Sequence, residues 1–290
     1  MGIVWEIDYY SRPVLDENQK KCWELLVCES PMTATRSPES LFRYAQYCPS
    51  TTVNSAWLGE ALKAAIAKAP APPTCIRFFR RQMSNMITRA CEDLGLTAKI
   101  SRRTIALHRW LQERTEQVYP QEPTYQESSS PATTVRYQTV APLSLPDALK
   151  GQKWAFVNLE AGAFAEMSEW TIDFSEGFPA ELAGLDPTAS IPGAIVFSSR
   201  AFPLAAWMSG LELGFLKFDA SARPRLLLET GGSDSWILAD LVSPQRQTEA
   251  RQFEQSKQRA NGVHFLAVQS DPQAQSFAGF WLLQELNLES

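Results

Sequence analysis

The chain has 290 residues, of which 44% are apolar and 20% are charged, a composition typical of a soluble globular protein long enough for two domains. No stretch approaches the ~18 uninterrupted apolar residues of a membrane span, so we expect no membrane span. The net charge of −5 disfavours nucleic-acid binding, but the charge is unevenly distributed. Between Arg77 and Arg114, eight Arg and one Lys stand against three acidic residues, whereas the rest carries 18 basic and 29 acidic residues. This segment is therefore a candidate site for a polyanion.

The N-terminal part predicts an α/β domain with the element order ββ(β)αβαβα. Asn54 or Ser55 can cap the first helix, and Gly95 ends the second. A third helix follows the last short strand and runs through Trp110. The predicted strands cover residues 3–14, 20–29, 74–79 and 97–101, and the aromatic stretch at 31–52 predicts either a third strand or an ordered loop.

A linker and a second α/β domain follow. Residues 120–150 are rich in Pro, Ser, Thr and Gln without periodicity, which predicts a linker between domains at 1–119 and 151–290. Ser243 followed by Pro244 predicts the start of a polar helix, which Asn261-Gly262 ends. Buried strands are expected at 154–159, 194–197, 213–218, 225–229, 236–241 and 263–268, before a final amphipathic stretch at 277–286.

The N-terminal element order is that of a ribonuclease-H-like fold. In nucleases of this fold, carboxylates from the first strand, the first helix and the fourth strand bind two metal ions that clamp a phosphate. Asp8 occupies the first position and Glu60 can occupy the second, but the fourth strand offers arginines and no acid. We therefore expect a scaffold that binds without cleaving, with a structural ion pair of Asp8 or Glu60 near Arg80 or Arg81 as the alternative.

Arginine pairs precede two predicted helices, Arg80-Arg81 before one and Arg102-Arg103 before the next. The amide groups at a helix N-terminus favour anions, and arginine makes bidentate contacts with phosphate. The alternative for such a run of charge is a solvated basic face. The candidate arginines for phosphate binding are Arg77, Arg80, Arg81, Arg102, Arg103 and Arg109.

No motif indicates a metal or a cofactor. The five cysteines include no pair at metal or redox spacing, and only two histidines are available, so we expect buried, reduced thiols. The glycine-rich segment at 231–235 joins two predicted strands and favours a hairpin turn over a phosphate loop.

Several strings resemble one family: WEIDYYSRPVLDENQKKCWELLVCES, VNSAWLGEAL, IRFFRRQMSNMITRACEDLG, SRRTIALHRWL and FAGFWLLQ. Through them the chain resembles the Tab family of translation activators for photosystem I reaction-centre mRNA in chloroplasts, which has cyanobacterial members. The resemblance implies binding of photosystem subunit mRNA without enzymatic activity. It also implies an RNA-binding role for the family's Trp-Leu-Leu tripeptide, here Trp281, Leu282 and Leu283. Such a tripeptide is equally typical of core packing, and both interpretations stay open.

Two other functions stay open, a metal-dependent nuclease and an assembly factor that binds ribosomes or photosystem assembly proteins. The chain begins directly with a strand-like stretch and shows no presequence. We therefore expect a cytoplasmic cyanobacterial protein, or a mature form in the chloroplast stroma whose presequence has been cleaved.

Overall fold

A computed structural model of the chain describes residues 2–127, 141–232 and 234–286. These residues form two compact units, the first from residues 2–30 and 39–127 and the second from residues 31–38 and 141–286. Residues 128–140 of the predicted linker and Ser233 of the predicted turn lie outside the described residues. No helix within the described ranges has the length and apolarity needed to cross a membrane.

The first unit contains a five-stranded mixed sheet. Its strands are β1 (Val4–Leu15), β2 (Lys21–Glu29), β3 (Arg43–Cys48), β4 (Cys75–Phe78) and β5 (Thr97–Ile100). They lie in the order β3-β2-β1-β4-β5, in which β1, β2 and β3 are antiparallel and β4 and β5 run parallel to β1. The stretch at 31–52 thus contains a third strand, and the predicted ribonuclease-H-like element order is confirmed.

The helices of this unit are α1 (Ser55–Lys68), α2 (Ser84–Glu92) and α3 (Ile105–Glu113). The predicted start of α1 and the predicted end of α2 are confirmed. Asn54 caps α1 by accepting a hydrogen bond from the amide of Trp57 at 2.8 Å. Gly95 follows α2 with a φ of +68°, a conformation that glycine adopts without strain.

Side chains alternate between the two faces of β1, and this alternation separates the core from a polar face. Trp5 and Ile7 belong to the hydrophobic core that also contains Leu58 of α1 and Ile87 of α2. The intervening acidic residues of β1 point to the opposite face, against which α3 packs.

The second unit contains two sheets. Its strands are β6 (Leu143–Ser144), β7 (Lys153–Glu160), β8 (Ile172–Glu176), β9 (Ser190–Phe197), β10 (Leu213–Asp219), β11 (Arg225–Thr230), β12 (Ser235–Asp240), β13 (Val263–Gln269) and β14 (Phe277–Gln284). One sheet has the mixed order β7-β9-β13-β14-β8 and the other the order β10-β11-β12-β6. The second α/β domain with a mixed sheet is therefore confirmed.

Two helices accompany these sheets, α4 (Ala201–Ser209) and α5 (Pro244–Arg259). Helix α5 begins and ends as predicted, with Ser243 as its cap. Helix α4 was not predicted, because its sequence is apolar almost throughout and has no polar face to reveal a helical period. Strands β11 and β12 are antiparallel and closed by a bond from the Thr230 amide to the Asp234 carbonyl at 3.0 Å, which confirms the hairpin.

All five cysteines are free thiols. Cys28, Cys48 and Cys91 are buried, as expected. Cys22 and Cys75 are only half-buried, so the prediction of burial was wrong for them. Both lie near the first residue of a strand, where packing against neighbouring elements is incomplete.

Candidate nucleic-acid interface

The polar face of β1 carries charged side chains that are almost completely buried. Glu6, Asp8 and Arg12 are at most 3% exposed, and Glu24 on β2 is fully buried. A buried charge destabilises a protein unless it is paired and hydrogen-bonded. The positions of these groups are therefore explained by the bonds among them.

Asp8 is held by two arginines. Arg80 Nε donates to Asp8 Oδ1 at 2.7 Å and Arg80 Nη2 to Oδ2 at 3.2 Å, while Arg12 Nη2 donates to Oδ2 at 3.0 Å. Burial alone would raise the pKa of Asp8, but the charges of Arg12 and Arg80 outweigh it and hold the pKa below its ordinary value. The guanidinium of Arg80 also lies 4.0 Å from the ring centroid of Tyr10. Asp8 is thus an ionised partner of arginine, as the structural alternative predicted.

Glu24 forms a second centre of the same network. It accepts hydrogen bonds from Arg12 Nε at 3.1 Å, from the hydroxyl of Tyr119 at 2.6 Å and from Arg114. Arg12 therefore bridges Asp8 and Glu24. Arg12 and Glu24 were not predicted as site residues, although opposite charges on one face of a predicted hairpin are a recognisable signal.

Glu6 links the sheet to α3. Its carboxylate accepts hydrogen bonds from the amide of Leu107 at 2.8 Å and from the hydroxyl of Ser30 at 2.7 Å. Burial raises the pKa of Glu6 to about 7, although these hydrogen bonds and the charges of Arg77 and Arg103 oppose the rise. The N-terminal amides of α3 were predicted to favour a bound anion. One of them, the amide of Leu107, already donates to the internal carboxylate of Glu6.

The fold brings both predicted arginine pairs to one end of the sheet. Arg80 and Arg81 follow the carboxyl end of β4, and Arg102 and Arg103 follow the carboxyl end of the parallel strand β5. The amide of Ser101 donates to the last carbonyl of β4 at 2.9 Å and holds the two strand ends together. Ligands of open α/β sheets commonly bind outside such carboxyl ends.

Of the six candidate arginines, four are buried and two are at least partly exposed. Arg81 is half-buried, and Arg109 on α3 is exposed, as is Lys99 on β5. Lys99 is the register partner of Arg77, and Arg77 is the register partner of Glu6. These three residues therefore form one row across the sheet, and Lys99 is the exposed end of that row. The remaining four are at most 8% exposed, and the alternative of a solvated face is wrong for them: Arg77, Arg80, Arg102 and Arg103.

Glu60 does not lie near Asp8. It is 74% exposed on α1 and pairs with Lys63 at 2.7 Å. Because α1 packs on the face of the sheet opposite to Asp8, the two carboxylates cannot share a metal ion, and Glu60 does not occupy the second metal-ligand position that the element order offered it. Among the described residues, no cluster of His, Cys, Asp or Glu has the arrangement of a metal site.

The Trp-Leu-Leu tripeptide lies in β14, which pairs with β13 on one side and β8 on the other. Trp281, Leu282 and Leu283 are at most 3% exposed. The ring of Trp281 lies against Gly279, where an added β-carbon would come within 2.2 Å of the indole. Trp281 and Leu283 share a hydrophobic cluster with Leu204 of α4, and Leu282 is fully buried, so all three side chains occupy packing positions.

Family profiles match both halves of the chain. The profile described as RNA-binding protein Tab2/Atab2 N terminal matches residues 4–114, and the profile of the Tab2/Atab2 C-terminal domain matches residues 132–284.

Two relatives named Protein TAB2 homolog, chloroplastic, come from Zea mays and Arabidopsis thaliana. They are 39% and 37% identical over 97% of this chain, which covers 71% and 74% of their lengths. A cryo-EM structure of a simian T-cell lymphotropic virus intasome with PP2A regulatory subunit B56 gamma aligns at 16% identity over 40% of this chain and 38% of that chain, with a TM-score of 0.28 that supports no argument. The chain belongs to the Tab2/Atab2 family of RNA-binding proteins.

Proposed function

We propose that this chain binds RNA without cleaving it, through the Arg-rich carboxyl end of the first sheet. The observation that carries the proposal is the environment of Asp8. At the position where a ribonuclease-H-like enzyme holds a metal ligand, both oxygens of Asp8 are bonded to arginine. This arrangement supplies positive charge for a phosphate backbone but not the set of free carboxylates that binds catalytic metal ions.

The buried and exposed cations have different roles in this proposal. Arg77, Arg80, Arg102 and Arg103 set the local potential and position the strand ends. Arg81, Arg109 and Lys99 are accessible enough to contact phosphate oxygens. Such contacts are independent of sequence, so base recognition requires further groups.

Trp281, Leu282 and Leu283 support RNA binding indirectly in this proposal, by keeping the second unit folded. Their burial on both faces of β14 supports this role. An indole can stack on a base only where its ring is accessible.

The natural target that we propose is mRNA for photosystem I subunits, whose translation the protein supports. This follows from the resemblance of its motifs to translation activators. Crosslinking in cells followed by sequencing of the bound RNA should enrich photosystem transcripts. Recovery of ribosomes or photosystem assembly proteins without enriched RNA would contradict the proposal and favour an assembly factor.

A salt titration with charge-reversed variants tests the contact surface. Lys99→Glu with Arg109→Glu should weaken binding to all single-stranded RNAs. Each lost phosphate contact lowers the magnitude of the negative slope of log K against log salt by about 0.7, so two lost contacts lower that magnitude by about 1.4. The matched control is Lys68→Glu with Arg89→Glu, which makes the same charge change on exposed residues of the helices that cover the opposite face. Equal effects of both pairs would refute a localised site.

A further inference from the structure

A cleft of about 800 Å³ opens in the second unit. Its wall is formed by the segment from β6 to the start of β7, by the loop before β11 and by the end of β12. An adjoining depression of about 470 Å³ shares Lys150 and Gln152 with the cleft and reaches Arg200 at the start of α4. Together they form one extended concave surface, and the cleft alone has the size of a ligand site.

Cations are concentrated on this surface. Residues 141–286 carry ten Lys and Arg against 17 Asp and Glu, so the region as a whole repels anions. In the two depressions basic residues outnumber acidic ones: the acidic lining residues are Asp147, which pairs with Lys150 at 2.6 Å, and Asp240, which pairs with Arg225 at 3.3 Å. The basic lining residues are Lys150, Arg200, Arg223 and Arg225. A cationic concavity in an acidic unit favours an anionic ligand.

An aromatic ring lies in the same wall. Trp154 is half-buried, and the guanidinium of Arg246 lies 4.7 Å from its ring centroid. Phe156 meets the indole edge-on at 5.1 Å between centroids. These contacts hold the ring in a fixed orientation. A cationic groove with a fixed aromatic ring is the combination that binds single-stranded nucleic acid, by phosphate attraction and base stacking.

We infer that this cleft is a second RNA-binding site, which takes a single-stranded segment with a base stacked on Trp154 and phosphates against Lys150, Arg223 and Arg225. The inference rests on the proposed RNA-binding function and places part of the contact in the second unit. The ligand must be unpaired, because a base within a duplex cannot present its face to an indole.

The test uses the full chain and a labelled single-stranded RNA of about 16 nucleotides. Lys150→Glu with Arg223→Glu should weaken binding and lower the magnitude of the slope of log K against log salt by about 1.4 for two lost phosphate contacts. Lys217→Glu with Arg259→Glu makes the same charge change on exposed residues outside both depressions and should have a smaller effect. Circular dichroism checks that all variants are folded.

The role of the indole is tested separately. Trp154→Leu should lower affinity about 5- to 150-fold, the loss expected for one stacked base, whereas Trp154→Phe should retain most of it. Photocrosslinking of a thiouridine-containing strand should label peptides around Trp154. If the wild type binds RNA but the cleft variants bind like their controls, the cleft inference is wrong and the proposed function stands. If the wild type binds no RNA, both are wrong.

Discussion

Replacing Asp8 by Asn removes one negative charge from the centre of the buried network while both arginine partners remain. The carboxylate accepts three hydrogen bonds of 2.7–3.2 Å from Arg80 and Arg12 and is 1% exposed. Breaking a buried ion pair by removing one partner typically costs about 3–5 kcal/mol. We therefore predict that Asp8→Asn lowers the free energy of unfolding of the first unit by that amount, and its Tm by about 10–20 °C. Urea denaturation followed by circular dichroism measures the loss.

The matched control is Glu60→Gln, which removes the same charge from an exposed pair with Lys63 and should cost less than about 1 kcal/mol. Adding Arg80→Gln to Asp8→Asn should cost less than the sum of the single changes, because the two side chains form one unit. In a cluster of metal-binding carboxylates, removing one charge relieves repulsion instead. If Asp8→Asn melts like the wild type and abolishes an RNA-cleaving activity, our account of the network is refuted.

Three further predictions concern stability. Because burial raises the pKa of Glu6 from 4.5 to about 7, its stabilising contribution is complete below pH 4.5 and is lost as the pH rises to about 7. The difference in stability between the wild type and Glu6→Gln should therefore fall across that range, and a difference independent of pH would contradict the assigned environment. Trp281→Ala should cost about 3–5 kcal/mol in thermal or urea unfolding and leave the RNA affinity of the folded fraction unchanged; a variant that melts normally but loses RNA would show a direct contact. Asn54→Ala should cost about 1 kcal/mol through loss of the bond to the Trp57 amide, and an unchanged urea midpoint would refute this capping role.

The parts of the fold that were predicted depend on local signals. The hairpin of β1 and β2 follows from alternating apolar residues, and the ends of α1 and α2 follow from Asn54 and Gly95. Helix α4 escaped prediction because its exposed face is nearly as apolar as its buried face, which removes the contrast between faces on which periodicity depends.

The sequence predicted which segment carries the candidate site, but not how the side chains of that segment are buried and paired. The Arg-rich composition and the two predicted helix starts identified Arg80 and Arg103 as candidates, and the structure brings both to one end of the sheet. Their burial was not predicted, because arginine is rarely buried unless it is paired, and the ion pair of Arg80 with Asp8, 72 residues earlier, was offered only as an alternative. Glu60 and Asp8 lie on opposite faces because α1 packs on the core face of the sheet, which depends on contacts between residues far apart in the chain.

The central claim, binding without cleavage, is tested most directly by one titration of labelled single-stranded RNA with the wild-type chain in the presence of Mg²⁺. The bound fraction and the length of the RNA are measured in the same samples at several salt concentrations. Our account predicts that the RNA is bound at low salt, released as salt rises and recovered at full length. Shortening of the RNA that requires Mg²⁺, or failure to bind at low salt, would contradict it.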